Sequence, residues 1–215
     1  MQQPSFDPAQ TAVIVVDLQA DFTEERSGSL AVPGTDDEYL EAVAITTRDL
    51  SARGFPLFFT QDWHPRDHIS FYTNHPGAEP FQSIEIDGRS QILWPPHCVQ
   101  ETPGAEILVP PGSADRVVRK GTDPRFDSYS GFADDGGHPT GLDALLRQAG
   151  IRQVIVYGLA TDFCVRATVV DAVENGFAAV LLPDLCRGVA PDSTEAALAE
   201  LRRRGVVFGK TEDFS

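Results

Sequence analysis

Three residues with complementary chemistry, Asp17, Lys120 and Cys164, each follow a short apolar run in this sequence. A carboxylate can accept the proton of a thiol, while a nearby lysine keeps that carboxylate ionised and stabilises a thiolate. Their types therefore predict a nucleophile, its proton acceptor and an electrostatic partner. The alternative is structural: Cys164 is a packed core cysteine, and Asp17 and Lys120 form only an ion pair.

The small-residue turn Gly158–Cys164 stands between the apolar run 154–157 and a stretch with helical spacing. Unpaired N–H groups and the positive end of the helix dipole at a helix start favour a thiolate on Cys164. The backbone N–H groups of Cys164 and Ala160 are suitable donors for the oxyanion that forms when an amide is attacked.

A second group of polar residues has the donor types of a divalent-metal site. Asp62 and His64 alternate at the end of an apolar run, so both side chains face the same side. His97 follows two prolines that stiffen its backbone, and it is the best third ligand. His68 is a candidate extra ligand or a residue that supports the ligands. The alternatives are surface histidines and a hydrogen-bonded core histidine.

Alternating apolar runs and helical stripes must position these residues. Such alternation predicts a three-layer α/β sandwich, with a largely parallel six-stranded sheet and helices on both faces. Asp192 with Glu195 resembles a capping box before the last helix. The six expected strands are centred on residues 11–16, 56–60, 117–119, 154–157, 178–182 and 206–208.

The segment at about 63–114 interrupts this pattern. It is rich in Pro, Gly, His and aromatic residues and has only short apolar pieces. An irregular segment of this length is usually functional or disordered, and its aromatic content argues against disorder. We expect one domain spanning residues 1–215, with this segment as a long active-site loop.

The composition limits the classes of partner. The net charge is -15 over 215 residues, which argues against nucleic acid or an anionic membrane as partner. Three scattered cysteines are too few for a disulfide framework, and no apolar run approaches membrane-spanning length. We expect a cytoplasmic protein with a small-molecule substrate. The sequence leaves open whether it forms a homo-oligomer.

Six segments, taken together and in order, carry a resemblance to a known family: VIVVDLQADF, FTQDWHP, WPPHC, RKG, YSGF and GLATDFCV. The chain resembles the isochorismatase-like cysteine hydrolases, most closely their nicotinamidase/pyrazinamidase family. The resemblance implies a catalytic triad of Asp17, Lys120 and Cys164. It also implies one divalent metal, zinc first and iron or manganese as alternatives. The implied metal ligands are Asp62, His64 and His97.

The resemblance also describes the substrate pocket. It implies a cis peptide between Leu159 and Ala160 that turns the Ala160 N–H into the oxyanion hole. Phe22 and Trp94 match aromatic residues that enclose a pyridine ring, whose nitrogen is expected at the metal, and Tyr129 matches a pocket tyrosine. His68 aligns with a ligand in some members only.

These residues lead to three hypotheses. The first is hydrolysis of nicotinamide, and of amides like pyrazinamide, through a thioester on Cys164, in NAD salvage. The second is another hydrolase of the superfamily, acting on a ureido or carbamoyl substrate without a metal. The third is a metal- or redox-responsive binding protein with Cys164 as its sensor thiol, which would need a resolving cysteine nearby.

Overall fold

The computed structural model describes residues 6–112 and 114–214. Its centre is a six-stranded, all-parallel sheet. The sheet strands are β1 (Thr11–Val16), β2 (Leu57–Asp62), β5 (Arg116–Lys120), β6 (Gln153–Leu159), β7 (Ala178–Arg187) and β8 (Val207–Phe208). They lie in the order β5-β2-β1-β6-β7-β8. All six expected strands are present, and the predicted three-layer α/β fold is confirmed.

The central strands are buried because they are apolar on both faces, as expected for a parallel sheet covered by helices. Every residue of β1 and β2 is buried, and so is every residue of β6 except the first. The chain runs from β1 to β2 on one side, while β6 pairs with β1 on the other. This reversal of strand order opens a crevice at the carboxyl ends of the strands, where ligands bind in open α/β sheets.

Four α-helices in the part of the chain that the structure describes cover the sheet: α1 (Asp37–Ala52), α2 (Leu142–Gln148), α3 (Arg166–Glu174) and α4 (Pro191–Arg203). Asp36 caps α1, because its side chain accepts a hydrogen bond from the backbone N–H of Tyr39. The capping box expected in α4 is wrong. That helix begins at Pro191, and its N-cap residue Ala190 has no side chain that can cap it.

The segment between β2 and β5 is more ordered than the sequence indicated. It contains an antiparallel hairpin of β3 (Ser83–Ile86) and β4 (Arg89–Ile92). The turn is Asp87-Gly88, and both residues have positive φ values of 50° and 73°. An Asp-Gly pair is a strong hairpin signal, so this element was readable from the sequence and was missed.

Among the described residues, no helix combines the length and apolarity that crossing a membrane requires.

Candidate active site

The register of the sheet brings the three predicted triad residues together. Asp17 follows β1 directly, and its φ of 43° turns the chain sharply out of the strand. Lys120 ends β5 opposite Asp62 of β2. Cys164 lies in a π-helical turn, Thr161–Val165, that follows β6. The Lys120 Nζ lies 2.9 Å from Asp17 Oδ2 and 3.4 Å from Cys164 Sγ.

The buried ammonium of Lys120 is held by more than the triad. It donates hydrogen bonds to Asp62 Oδ1 at 2.6 Å and to the backbone carbonyl of Ser128 at 2.7 Å. Burial alone would lower the pKa of Lys120. The carboxylates of Asp17 and Asp62 outweigh burial and hold that pKa well above its usual value, so the lysine remains charged.

The two carboxylate oxygens of Asp17 differ in their contacts. Oδ1 accepts a hydrogen bond of 2.6 Å from the Thr60 hydroxyl. Oδ2 faces Lys120 and accepts no hydrogen bond from any described residue. Burial raises the pKa of Asp17, while Lys120 and Thr60 oppose the rise. A buried carboxylate with a raised pKa, next to the thiol, is suited to accepting a proton.

The Cys164 thiol differs from the sequence expectation. Burial raises the pKa of this thiol well above its usual value, and the charges of Asp17 and Asp62 add to the rise, while Lys120 opposes it. These effects oppose the start-of-helix position, which favours the thiolate. Asp17 is the adjacent group that can accept the proton of the thiol as it reacts.

The turn before the nucleophile contains the expected cis peptide, between Leu159 and Ala160. The carbonyl of Ala160 accepts hydrogen bonds from the N–H groups of Phe163 and Val165, both at 3.1 Å, which closes the turn. Ala160 and Cys164 both line the pocket described below. Their backbone N–H groups remain our candidates for the oxyanion hole.

The three predicted metal ligands also converge. Ligand atoms of Asp62, His64 and His97 lie within 4.8 Å of one another, and all three residues are buried. The Nδ1 of His64 lies 3.1 Å from the carbonyl of Gly121, and that of His97 lies 2.7 Å from the carbonyl of Pro95. A carbonyl only accepts, so each Nδ1 carries the hydrogen and each Nε2 offers a lone pair.

Charge in this cluster is arranged around Asp62. Burial alone would raise the pKa of Asp62, but Lys120 and His64 outweigh burial and lower it far below the usual carboxyl value. Burial and then His64 lower the pKa of His97 to about 4, so this imidazole is neutral. The pKa of His64 is raised, because Asp62 outweighs the effect of burial.

His68 is engaged elsewhere. Its Nε2 lies 3.1 Å from the carbonyl of Phe126, and its Nδ1 lies 2.7 Å from the hydroxyl of Ser70. Both ring nitrogens therefore have partners, and neither is free to bind a cation in this arrangement. The ring packs against His64, with centroids 4.3 Å apart. His68 therefore packs against the candidate metal ligand His64 and helps to hold its ring in place.

A pocket connects the triad to the metal-ligand cluster. Trp94 donates a hydrogen bond of 3.0 Å from Nε1 to the Tyr129 hydroxyl, which fixes both rings. Phe22 packs on His97, with ring centroids 5.4 Å apart. Most of the lining residues are apolar or aromatic, and Asp62, His97, Asp127 and Ser128 are the polar ones. The lining residues are Phe22, Leu30, Val32, Asp62, Trp94, His97, Asp127, Ser128, Tyr129, Ala160, Phe163, Cys164 and Val189. Leu159 is fully buried behind this wall.

Sequence reasoning missed several residues of this site. It did not find that Asp62 contacts both Lys120 and His64. It also missed Thr60 beside Asp17, and Asp127, a buried carboxylate that lines the pocket. Phe163 packs edge-on against Trp94, with centroids 5.0 Å apart. The sequence offered one signal for Thr60: it lies two residues before Asp62, so the two side chains face the same side of an extended strand.

Comparison with known proteins matches this geometry to a family. The model of the isochorismatase domain matches residues 11–213. The chain belongs to the isochorismatase family. It is 39% identical over 211 residues to the nicotinamidase of Escherichia coli, covering 94% of this chain and 96% of that protein. It is 40% identical to the nicotinamidase/pyrazinamidase of Mycobacterium tuberculosis, covering 91% and 96%.

Solved structures of this family have the same fold. A nicotinamidase/pyrazinamidase of Acinetobacter baumanii aligns over 100% of both chains, with a TM-score of 0.87 and 39% identity. The pyrazinamidase of Pyrococcus horikoshii in complex with zinc aligns with a TM-score of 0.79 and 37% identity over 94% of this chain and 99% of that one. The yeast nicotinamidase bound to the inhibitor nicotinaldehyde aligns with a TM-score of 0.84 and 28% identity over 94% and 100%.

Proposed function

We propose that this protein hydrolyses nicotinamide, and aromatic amides like pyrazinamide, to the carboxylic acid and ammonia. The observation that carries the proposal is that Cys164, which lines an aromatic pocket, meets Asp17 and Lys120 behind it. Relatives of about 39% identity over most of their length are nicotinamidases, which supports the same activity here. The role in NAD salvage is part of this proposal.

The first half of the reaction forms a thioester. Asp17 accepts the proton of Cys164 as the sulfur attacks the carboxamide carbon, and Lys120 stabilises the negative charge that develops on the sulfur before the carbon–sulfur bond forms. The N–H groups of Ala160 and Cys164 stabilise the oxyanion of the tetrahedral intermediate. Asp17 then returns the proton to the departing nitrogen, the carbon–nitrogen bond breaks, and ammonia leaves.

The second half of the reaction hydrolyses the thioester. Asp17, again ionised, takes a proton from a water molecule, whose oxygen attacks the carbonyl carbon. The same oxyanion donors act again, because the second tetrahedral intermediate forms at the same carbon. The carbon–sulfur bond breaks, the proton on Asp17 returns to Cys164, and the carboxylic acid leaves. The apolar walls limit the access of bulk water.

The residues of the second cluster fit a divalent metal. Two imidazoles held through Nδ1, so that Nε2 is the ligand atom, and one carboxylate form a donor set that zinc, iron and manganese accept. Zinc is our first choice, because a pyrazinamidase of this family is known in complex with zinc. When bound, such an ion supplies a Lewis acid for the nitrogen of an aromatic ring. Phe22 and Trp94 would enclose the ring, with Tyr129 holding Trp94 in place.

Substitution of Cys164 tests the mechanism. Cys164→Ala is expected to lower ammonia release from nicotinamide at least about 1,000-fold, since no other thiol lines the pocket. Cys186→Ala is the matched control, because Cys186 is buried like Cys164 but lies in β7 outside the pocket. Circular dichroism checks that both variants fold. Turnover near the wild-type rate in Cys164→Ala would exclude the thioester mechanism.

A substrate panel with and without a chelator separates the first two hypotheses. Release of ammonia from nicotinamide and pyrazinamide that falls when the metal is removed supports the proposal. Turnover of ureido or carbamoyl compounds alone, unaffected by the chelator, would favour the other hydrolase. All three cysteines are buried and free. A redox sensor would need one of the other two cysteines within disulfide reach of Cys164.

A further inference from the structure

Asp162 lies in the turn that carries the nucleophile, two residues after Ala160 and two before Cys164. It is only 8% exposed, and its carboxylate points toward the start of α4. Oδ1 accepts a hydrogen bond of 3.0 Å from the N–H of Val189. Oδ2 accepts one of 3.3 Å from the N–H of Ala190 and a short one from the Ser193 hydroxyl. The catalytic steps described above do not use this carboxylate.

These contacts tie Asp162 to the residues that lead into α4. That helix starts at Pro191, and its N-cap residue Ala190 has no capping side chain. The backbone N–H groups that Asp162 binds belong to the two residues before Pro191, and a negative charge at a helix start interacts favourably with the helix dipole. Asp162 supplies that charge from a distant part of the chain. The nucleophile turn and the 13-residue helix α4 are therefore fastened to each other through one carboxylate.

The same carboxylate connects two walls of the substrate pocket. Phe163 and Cys164, which follow Asp162 in the turn, line one side of the pocket. Val189, whose N–H is bound by Asp162, lines another. Rotation of the turn would move the sulfur relative to the N–H of Ala160. A misplacement of about 1 Å can cost on the order of 100-fold in rate, so the orientation of this turn matters for catalysis.

We infer that Asp162 is a positioning residue: by binding the start of α4 it holds Cys164 and the oxyanion donors in the geometry that attack on the amide requires. This inference rests on the proposed amidase function. It assigns Asp162 no contact with substrate and no proton transfer. Its effect should therefore appear in the steps that use the sulfur and the oxyanion hole, and should be small in binding that uses only the pocket walls.

Asp162→Asn tests this inference. The amide keeps the size of the side chain but can present only one oxygen to three donors. We expect kcat for nicotinamide to fall by about 10- to 100-fold, when the concentration of active sites is taken from titration of the reactive thiol. Nicotinaldehyde and nicotinate are the two binding probes. The thiol adds to the aldehyde carbon, its proton ends on the oxygen, and a hemithioacetal forms, whereas nicotinate only occupies the pocket.

The two probes separate positioning from a general loss of structure. We expect the inhibition constant of nicotinaldehyde to rise about tenfold in Asp162→Asn, and that of nicotinate to change less than about twofold. A residue that only stabilised the fold would lower the melting temperature and the number of active sites. Such a residue would leave two quantities unchanged: kcat per active site, with active sites counted by titration of the reactive thiol, and the ratio of the two inhibition constants. That result would overturn the inference.

Two further variants complete the experiment. Glu200→Gln removes an ion pair of 2.6 Å from Arg166 of α3 to α4 without touching the turn, and its kcat should stay within about twofold of wild type. Ser193→Ala removes one of the three donors to Asp162 and should lower kcat about two- to fivefold. If Asp162→Asn does not fold, this variant decides, and a wild-type kcat in Ser193→Ala overturns the inference.

The failure of the proposed function would look different. If the wild-type protein releases no ammonia from nicotinamide, the proposed activity is wrong, whatever Asp162 does. If the wild-type protein is active and Asp162→Asn matches it in kcat and in both inhibition constants, the amidase assignment stands and the positioning role falls.

Discussion

The proton balance between Asp17 and Cys164 depends on where each group is buried. Burial raises the pKa of both, so neither group ionises as easily as in water. Lys120 lies within 3.4 Å of both and favours their charged forms. Burial thus favours the protonated form of each group, and the ammonium of Lys120 favours the carboxylate and the thiolate.

Thr60 offers a conservative test of the role of Asp17 as the base. Its hydroxyl stabilises the ionised carboxylate, so Thr60→Val should raise the pKa of Asp17 further. Activity requires Asp17 ionised, and it is therefore lost as the pH falls through this pKa. In Thr60→Val the acid limb of kcat/KM should move to higher pH, while the plateau rate should stay within about threefold of wild type.

The measurement is a pH profile of ammonia release for both proteins. Asp17→Asn is the reference for complete loss of the base, with an expected decrease of about 100- to 10,000-fold at all pH values. An acid limb in Thr60→Val that coincides with that of the wild type would show that a group other than Asp17 controls the limb.

At the scale of elements, the residue after β5 determines how a candidate metal ligand is held. Gly121 has a φ of 63°, and its carbonyl binds His64 Nδ1. A Cβ atom at this position would lie 2.3 Å from Cε1 of His64. The backbone there cannot move freely, because the preceding Lys120 is tied to Asp62. The side chain of any other residue would therefore push the imidazole out of place.

Gly121→Ala should therefore weaken metal binding by about 10- to 100-fold, by displacing His64. Gly137→Ala is the matched control, since Gly137 has a φ of 81° and nothing within 4 Å of an added Cβ. Both variants carry the same backbone penalty of about 1–2 kcal/mol, and only one has the clash. Competition with a chromogenic chelator measures the affinity. Equal affinities in the two variants would contradict this account.

Most elements were predictable because the strands are continuous apolar runs and the helices have clear stripes. What failed depended on contacts from distant segments. Asp192 and Glu195 were expected to cap α4, whereas the carboxylate that binds the residues leading into this helix is Asp162, from the turn after β6. Propensity along the helix cannot reveal such a partner. The hairpin β3–β4 was missed because the surrounding segment is rich in aromatic residues and proline. The whole segment was therefore interpreted as irregular, despite its Asp-Gly turn.

At the scale of the whole molecule, the site was predictable only on the condition that the strands ending in polar residues are neighbours. Patterning places Asp17, Asp62, Lys120 and Cys164 at strand ends, but the strand order comes from packing of the complete chain. The order β5-β2-β1-β6 supplies the missing step and brings those ends together. Burial then raises the pKa of Cys164 against the effect of the helix start, since desolvation cannot be read from local sequence.

The net charge of -15 has a consequence for substrate and product. Nicotinamide is neutral, so the field of the protein neither attracts nor repels it, whereas nicotinate is an anion that the field repels. Raising the ionic strength from about 0.01 M to 0.2 M shortens the Debye length from about 30 Å to below 10 Å. We expect kcat/KM for nicotinamide to change less than about twofold over this range, and the inhibition constant of nicotinate to fall about two- to threefold. Ammonia-release assays at several concentrations of sodium chloride, with pyrazinamide as a second neutral substrate, measure both. A steep salt dependence for the neutral amides would mean that the charge of the protein controls a step other than the encounter with the ligand.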